Sequence, residues 1–444
     1  MKIRIVEGLA AARAHISRLR DPGRTALPDS VSLRLREIFG RDLSAEEAVA
    51  QIVGDVRRGG DPALVEYAQR IDRVSLDRLS VDAATLEAAY QAQPAELREA
   101  LQVAAARIRD YHRREPGQSW LEWDAEGGAL GQIIRPLQRV GVYVPGGTAA
   151  YPSSLLMAVV PAQVAGVEEI VVTTPPGPGG HGSSVVLAAA YVAGLDRVFL
   201  LGGAQAVAAL AYGTESVPRV DKVVGAGGLF VTLAKKLVYG DVGIEGLQGP
   251  TETLLIADDT PPPALVAADL LAQSEHDPLA TALLITPSRR LAEAVQAEVE
   301  RQAASLARRS IIEESLQGQG AILLVPTLDD ALALANEYAP EHLCLLVAEP
   351  WSLVGQVRNA GGVFVGEGSS EALGDYVVGP SHIMPTRGTA RFSSPLHVGD
   401  FLKVISVFAV GDAAAQRLGR TAQIIARAEG LTAHAAAVSL RERE

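Results

Sequence analysis

From residue 133 onward the chain alternates short β-rich apolar runs with helix-like segments. That alternation restricts it to parallel sheet joined by crossover helices. Val140-Gly141-Val142-Tyr143-Val144 is the first clear run and ends at Pro145-Gly146-Gly147. Runs at 169–172, 197–201 and 222–224 follow, with helix-like segments at 154–165 and 204–212 between them. A second α/β stretch covers 253–365, with strand candidates at 254–257, 282–286, 321–325 and 343–347. The first third reads differently. Ser44, an acidic first turn at Glu46-Glu47, and Val49, Ile52, Val53 and Val56 at helical spacing specify a helix there. Residues 82–114 continue in that style, and the charged run 107–115 reads as a solvated helix face. A tail helix is expected over 413–429. At 444 residues the chain exceeds one ordinary core, so the expectation is an α/β protein of more than one domain.

Charge and cysteine content remove several classes. The formal charge of −12 repels phosphate backbones and anionic lipid, so neither nucleic acid nor membrane is an expected partner. Cys344 is the single cysteine, which excludes an intrachain disulfide and a Cys-rich zinc module. With an N-terminus lacking the apolar core of a signal peptide, a cytoplasmic location is expected.

Glycines after strands mark where a ligand can approach the backbone. Gly202-Gly203 and Gly225-Ala226-Gly227-Gly228 both follow strand candidates, but neither has the spacing of a dinucleotide fingerprint. The architecture permits nucleotide binding without demanding it.

Four residues stand out as metal donors. Residues 260–278 read as one helix, capped by Thr260 and stopped by Pro278, so Gln273 and His276 leave one face three positions apart. Asp375 and His434 are the other candidates. Two imidazoles, one carboxylate and one amide oxygen suit zinc or manganese with open positions, although a lone His is more often structural. Glu341-His342 lies where a helix gives way to a strand, because Pro340 disfavours helix at Ala339. A Glu beside a His places two proton-moving groups near neutral pH; the plainer alternative is an ordinary polar turn. Cys344 shares the strand face of His342. It reads as a small buried hydrophobe more readily than as a thiol that traps an aldehyde.

The ordered motifs point further. They are Arg139-Val140-Gly141-Val142-Tyr143-Val144-Pro145-Gly146-Gly147, Gly202-Gly203-Ala204-Gln205-Ala206, Gly249-Pro250-Thr251-Glu252, the segment from Gln273 to His276, Ala339-Pro340-Glu341-His342-Leu343, Leu373-Gly374-Asp375-Tyr376, Ser381-His382 and Leu431-Thr432-Ala433-His434. Together, over residues 43–441, the chain resembles histidinol dehydrogenase, the zinc- and NAD-dependent family that completes histidine biosynthesis.

The resemblance implies zinc, one ion per subunit, held by Gln273, His276, Asp375 and His434, with His434 donated across a homodimer with shared sites. It implies a substrate pocket of Thr251, Glu341, His342, Asp375, His382 and Glu429, and NAD contacts at Tyr143, Gln205 and position 228. His342 then serves as base in two successive NAD-linked oxidations of L-histidinol, through bound L-histidinal to L-histidine. Glu341 activates water between them, and zinc positions the substrate. One departure is plain: relatives carry Asn where this chain has Gly228, and the lost side-chain hydrogen bond is typically worth roughly 0.5–1.5 kcal/mol.

The implied fold is two incomplete Rossmann-like parallel-sheet domains with smaller helical terminal segments in an intertwined homodimer. Residues 37–142 and 250–396 would form the catalytic domain and 143–249 the NAD domain. Residues 1–36 with 397–406 would connect them, and 407–444 would be a helical tail reaching the partner. Two rival readings are a paralogous dehydrogenase acting on another polar alcohol, such as a sulfonated diol, and a non-catalytic binding relative. Glu429 and His434 argue against the first, and the intact Glu341-His342 against the second.

Overall fold

The computed structural model describes residues 2–20, 29–114, 117–125, 127–146 and 149–441. Gly147 of the glycine-rich motif, Glu115 of the charged run and tail residues 442–444 lie outside them.

Among the described residues there are two six-stranded sheets and one of three strands. The first sheet is wholly parallel, in spatial order Ile5–Glu7, Ala321–Leu324, Thr281–Thr286, Glu252–Ala257, His342–Leu346 and Gly362–Val365. Its central strands are buried along their whole length, the near-continuous apolar pattern that coverage on both faces requires. Side chains alternate between layers. Leu255, Ala282, Leu284, Ile322 and Cys344 pack beneath helices Pro263–Ser274, Arg289–Ala303 and Arg309–Gly318. Leu254, Leu283, Ala321, Leu343 and Leu345 face Leu9–Leu19 and Leu328–Tyr338.

The second sheet runs Ser80–Asp82, Arg197–Leu200, Glu169–Thr174, Arg139–Tyr143, Lys222–Val224 and Gly243–Ile244, with only Ser80–Asp82 antiparallel. It too is sandwiched between helical layers. Counted from Glu252–Ala257 in one sheet and Arg139–Tyr143 in the other, five strands follow the same spatial order, 3-2-1-4-5. Each has one further strand beside the third. The order reverses between the first and fourth strands, the switch point where doubly wound sheets open a crevice.

Strand pairing divides the chain differently from the sequence expectation. Arg139–Tyr143 is the centre of the second sheet, and helices Ala45–Tyr67, Ala83–Gln91 and Ala95–His112 pack on that sheet, so these elements do not join the first sheet's unit. The reason is their apolar faces: Val49, Ile52, Val53 and Val56 find Val207, Leu210 and Val231. The N-terminal segment moves the other way. Ile5–Glu7 extends the first sheet beside Ala321–Leu324. Among the described residues, 397–406 do not pair with the N-terminal segment either; Leu402–Ala409 lies antiparallel to Ala129–Pro136, which also carries Trp120–Trp123.

That three-stranded sheet and the tail are poorly covered. Helices Asp412–Ala428 and Thr432–Ser439 pack on each other, and Leu418, Ile424, Ile425 and Leu431 are exposed. Trp123, Phe408 and Leu440 are 71%, 78% and 86% exposed. None of the described helices is long and apolar enough to cross a membrane.

Candidate active site

The Glu341-His342 pair sits at a helix-to-strand turn, as its sequence context requires. Helix Leu328–Tyr338 ends on Ala339 in the left-handed region (φ 53°), Pro340 blocks its continuation, and His342 opens the next strand. Gly361 and Gly362 donate to the Pro340 and Glu341 carbonyls at 2.9 and 2.8 Å. A Cβ at Gly361 would stand 2.5 Å from the Glu341 carbonyl oxygen, so glycine is needed there. His342 is flanked in the parallel ladder by Thr253 and Gly362, across the switch point. The pair therefore occupies the amino ends of the strands, opposite to the carboxyl ends at which such sheets usually bind ligands.

Both residues are buried, and one neighbour serves both through its main chain. Nδ1 of His342 lies 3.0 Å from the carbonyl oxygen of Glu252. A carbonyl only accepts, so Nδ1 carries the proton and Nε2 keeps its lone pair. Nε2 is buried without a partner, 4.0 Å from an Asp375 carboxylate oxygen. Glu341 accepts from the Glu252 N–H at 2.9 Å and from the Thr251 hydroxyl at 2.7 Å. Burial pushes its pKa well above the ordinary carboxyl value; those two hydrogen bonds oppose the shift, and the Glu252 and Asp375 charges add to it.

Around Nε2 the chain gathers further polar groups. Asp375, near the end of Glu371–Tyr376, accepts through its main-chain carbonyl from His382 Nδ1 at 2.8 Å. The other ring nitrogen of His382 is 3.1 Å from the Ser154 hydroxyl. Loss of water lowers the His382 pKa against the opposing Asp375 charge. Gln273 and His276 reach the same region, but not from one helix face. The helix runs only from Pro263 to Ser274, and Glu275 caps it. The three prolines at 261–263 delay its start, and Thr260 binds Asp258 instead of capping. Gln273 thus lies in the last turn, while His276 lies beyond it, on the exposed rim. Loss of water around the His276 ring lowers its pKa, and the Asp375 carboxylate opposes this.

The sequence reading missed two buried carboxylates here. Glu252 was visible only as a motif letter. Glu371 accepts from the Thr253 hydroxyl at 2.7 Å, and burial pushes its pKa to about 7. The Gln273 carboxamide satisfies both its ends when its nitrogen donates to Glu371 at 2.8 Å and its oxygen shares the Glu252 N–H, 2.9 Å away, with Glu341. Neither acid has a spacing signal, since each acts across strands. Cys344 lies buried between Thr253 and Glu371, with sulfur 4.0 and 3.8 Å from their oxygens. Burial, then the Glu371 charge, raises its pKa, so it is a packed thiol and not a ready nucleophile.

Glu429 and His434 are not brought to this cluster. Both are exposed on the outlying helical hairpin, and no hydrogen bond or ion pair ties them to Gln273, His276 or Asp375. Among the described residues no three His, Cys, Asp or Glu side chains of one chain are placed to hold a metal ion.

The second sheet presents its glycine loops at the carboxyl ends of its strands. The Tyr143 hydroxyl accepts from the Gly203 N–H at 3.3 Å. Gln205 is buried, donates to Asp72 at 3.4 Å, and leaves its side-chain oxygen without a partner. It lines a cleft of about 560 Å³ with Gly203, Phe39, Ile71 and Phe230. Gly225, at φ 118°, is held on both sides: its N–H donates to Glu245 at 2.8 Å and its carbonyl accepts from Lys235 at 3.1 Å. Gly228 precedes helix Leu229–Val238 with an ordinary φ of −65°, and a Cβ there would meet nothing within 4 Å.

Comparison with known proteins agrees with this picture. The sequence profile of the histidinol dehydrogenase family matches residues 39–442. A histidinol dehydrogenase of Deinococcus radiodurans is 54% identical over 435 residues, 98% of this chain and 99% of that one. One of Synechococcus is 49% identical over 442 residues, 99% of each. The crystal structure of histidinol dehydrogenase from Elizabethkingia anophelis superposes with a TM-score of 0.89 at 31% identity, covering 99% of this chain and 98% of that one. With profile, sequence and fold agreeing over nearly its whole length, the chain belongs to the histidinol dehydrogenase family.

Proposed function

We propose that this chain oxidises L-histidinol to L-histidine in two NAD-linked steps, with L-histidinal held in the site between them. The observation that carries the reading is the free Nε2 of His342, buried without a partner while Nδ1 is fixed as a donor. It is a base atom waiting for an acidic proton. His342 takes the alcohol proton there, and the carboxylates of Glu341 and Asp375, 3.8 and 4.0 Å from its ring nitrogens, stabilise the resulting imidazolium. Glu341, poised by Thr251 and the Glu252 N–H, removes a proton from the water that hydrates the aldehyde. The His342 imidazolium returns its proton to the aldehyde oxygen as the water adds, and the neutral ring then takes a hydroxyl proton of the hydrate as the second hydride leaves.

The donor chemistry fits zinc held by Gln273, His276, Asp375 and His434 of the partner subunit. Two of these are a His and an Asp that already feel each other's charge, and Glu371 holds the Gln273 amide so that its oxygen is the available donor. When bound, the metal would supply a Lewis-acid anchor that positions the substrate. Thr251, His382 and Glu429 line the same pocket, with Glu429, like His434, reaching it across the dimer. On the second sheet, the unpartnered Gln205 oxygen beside a cleft of about 560 Å³ fits NAD, with Tyr143 and the backbone at Gly228 as further contacts. NAD supplies the hydride acceptor in each step. The exposed apolar hairpin supports a homodimer with shared sites, and we read the enzyme as cytoplasmic.

The test is stoichiometry. Purified protein with zinc and NAD should form two NADH per histidinol consumed. One NADH, or turnover of a different polar alcohol alone, would favour a paralogous dehydrogenase; zinc-dependent binding without NADH would favour a binding protein.

A further inference from the structure

We propose that Arg20 is a positioning residue for the Glu341-His342 pair, acting through Glu252 and the turn at Ala339. Arg20 follows the N-terminal helix Leu9–Leu19, and its guanidinium bonds to groups more than two hundred residues further along the chain. Its guanidinium spreads over two segments. Nη1 and Nη2 donate to the two carboxylate oxygens of Glu252 at 2.5 and 3.0 Å. Nε donates to the Tyr338 carbonyl at 2.8 Å, and Nη2 also to the Ala339 carbonyl at 3.3 Å. Its central carbon lies 3.5 Å from the centre of the Tyr338 ring.

Those endpoints are the two segments that fix the pair. Glu252 holds His342 through its carbonyl and Glu341 through its N–H. Tyr338 and Ala339 are the last residues before Pro340, in the left-handed turn that aims the pair into the pocket. A fork joining Glu252 to this turn therefore sets the distance between base, carboxylate and their shared support. The Arg387 N–H adds a further bond to Glu252, at 2.9 Å, so the carboxylate is held from two sides. Lysine cannot replace this arrangement, because one ammonium lacks the planar fork that reaches two oxygens and two carbonyls together. The Glu252 side chain is 6% exposed, so losing its partner leaves a buried, unpaired charge free to relax the strand end.

The experiment rests on the oxidation proposed above and uses the whole zinc-loaded protein. Arg20→Lys should lower kcat for histidinol by about tenfold to a hundredfold, as small misplacements of catalytic groups do. KM for histidinol and NAD, zinc content and circular dichroism should stay near wild type. Arg20→Ala should lose more, and added guanidinium should restore part of its kcat. If Arg20→Ala does not fold, the Lys variant decides alone. The proposal is overturned if Arg20→Lys keeps its kcat, or if its kcat falls only in proportion to the unfolded fraction. Turnover absent from the wild-type protein would overturn the oxidation reading, whereas an active wild type matched by Arg20→Lys overturns the Arg20 proposal alone, so the two failures are told apart by that control.

Discussion

Nδ1 of His342 lies 3.0 Å from the carbonyl oxygen of Glu252, a contact that leaves Nε2 as the only basic atom on the ring. His342→Gln keeps a polar group and loses that base. It should reduce kcat by about a hundredfold to ten-thousandfold, the usual worth of a proton transfer, while histidinol still binds in calorimetry. A loss of only a few fold would remove His342 from the role of base.

Glu341 carries a pH signature. Burial raises its pKa, so the folded chain binds a proton more tightly than the unfolded chain. That contribution to stability is full below the ordinary carboxyl pKa and is lost as pH rises through the raised one. Glu341→Gln should therefore melt higher relative to wild type as pH increases. The same variant should oxidise histidinol to the aldehyde stage but oxidise added histidinal slowly, without the rise in rate that deprotonation of Glu341 gives the wild type. Wild-type rates on histidinal would sink this assignment.

Cys344→Ala should leave both oxidations intact. The thiol is buried beside Glu371, whose carboxylate disfavours the thiolate. The expected cost is in melting temperature alone, from lost packing worth about 1 kcal/mol. Selective loss of histidinal oxidation would restore the thiol as a nucleophile.

Gly228→Asn is expected to strengthen NAD binding. Open space surrounds the position and its φ suits any residue, so the Asn side chain enters without strain. One regained hydrogen bond, roughly 0.5–1.5 kcal/mol, corresponds to a few-fold to about tenfold in Kd by calorimetry. A higher melting temperature with unchanged Kd would mean that the new side chain caps its own helix and does not reach the cofactor.

Sharing of the site between chains is open to complementation. Gln273→Ala and His434→Ala should each abolish turnover, and a refolded mixture should regain about a quarter of wild-type activity, because a random two-fold pairing leaves one intact site in half the dimers. A mixture as inactive as its components would place all four donors in one chain.

Much of this was legible in the sequence. The turn at Pro340, the strands around it and the glycine loops all carry local signals, because proline, glycine and apolar runs act on their own backbone. Groups that act across the sheet left no such trace. Glu252 serves Glu341 and His342 through its main chain, which no side-chain motif records. Arg20 meets it from the far end of the chain. The helix carrying Gln273 also ended before His276, since cap and proline chemistry outweighed the simple three-residue spacing. The unit to which the helical first third belongs was misread for a related reason: helical periodicity reveals an apolar face, but not which of two sheets of like strand order it will cover.

The outlying hairpin and the three-stranded sheet have a colloidal consequence. A lone folded chain would display Trp123, Phe408, Leu440 and the apolar side of Asp412–Ala428 to water, restrained from clumping mainly by its charge of −12. Added salt shortens the reach of that repulsion and leaves the apolar attraction in place. Refolding yield should therefore fall when salt is raised before the proposed dimer has formed, and become insensitive to it afterwards.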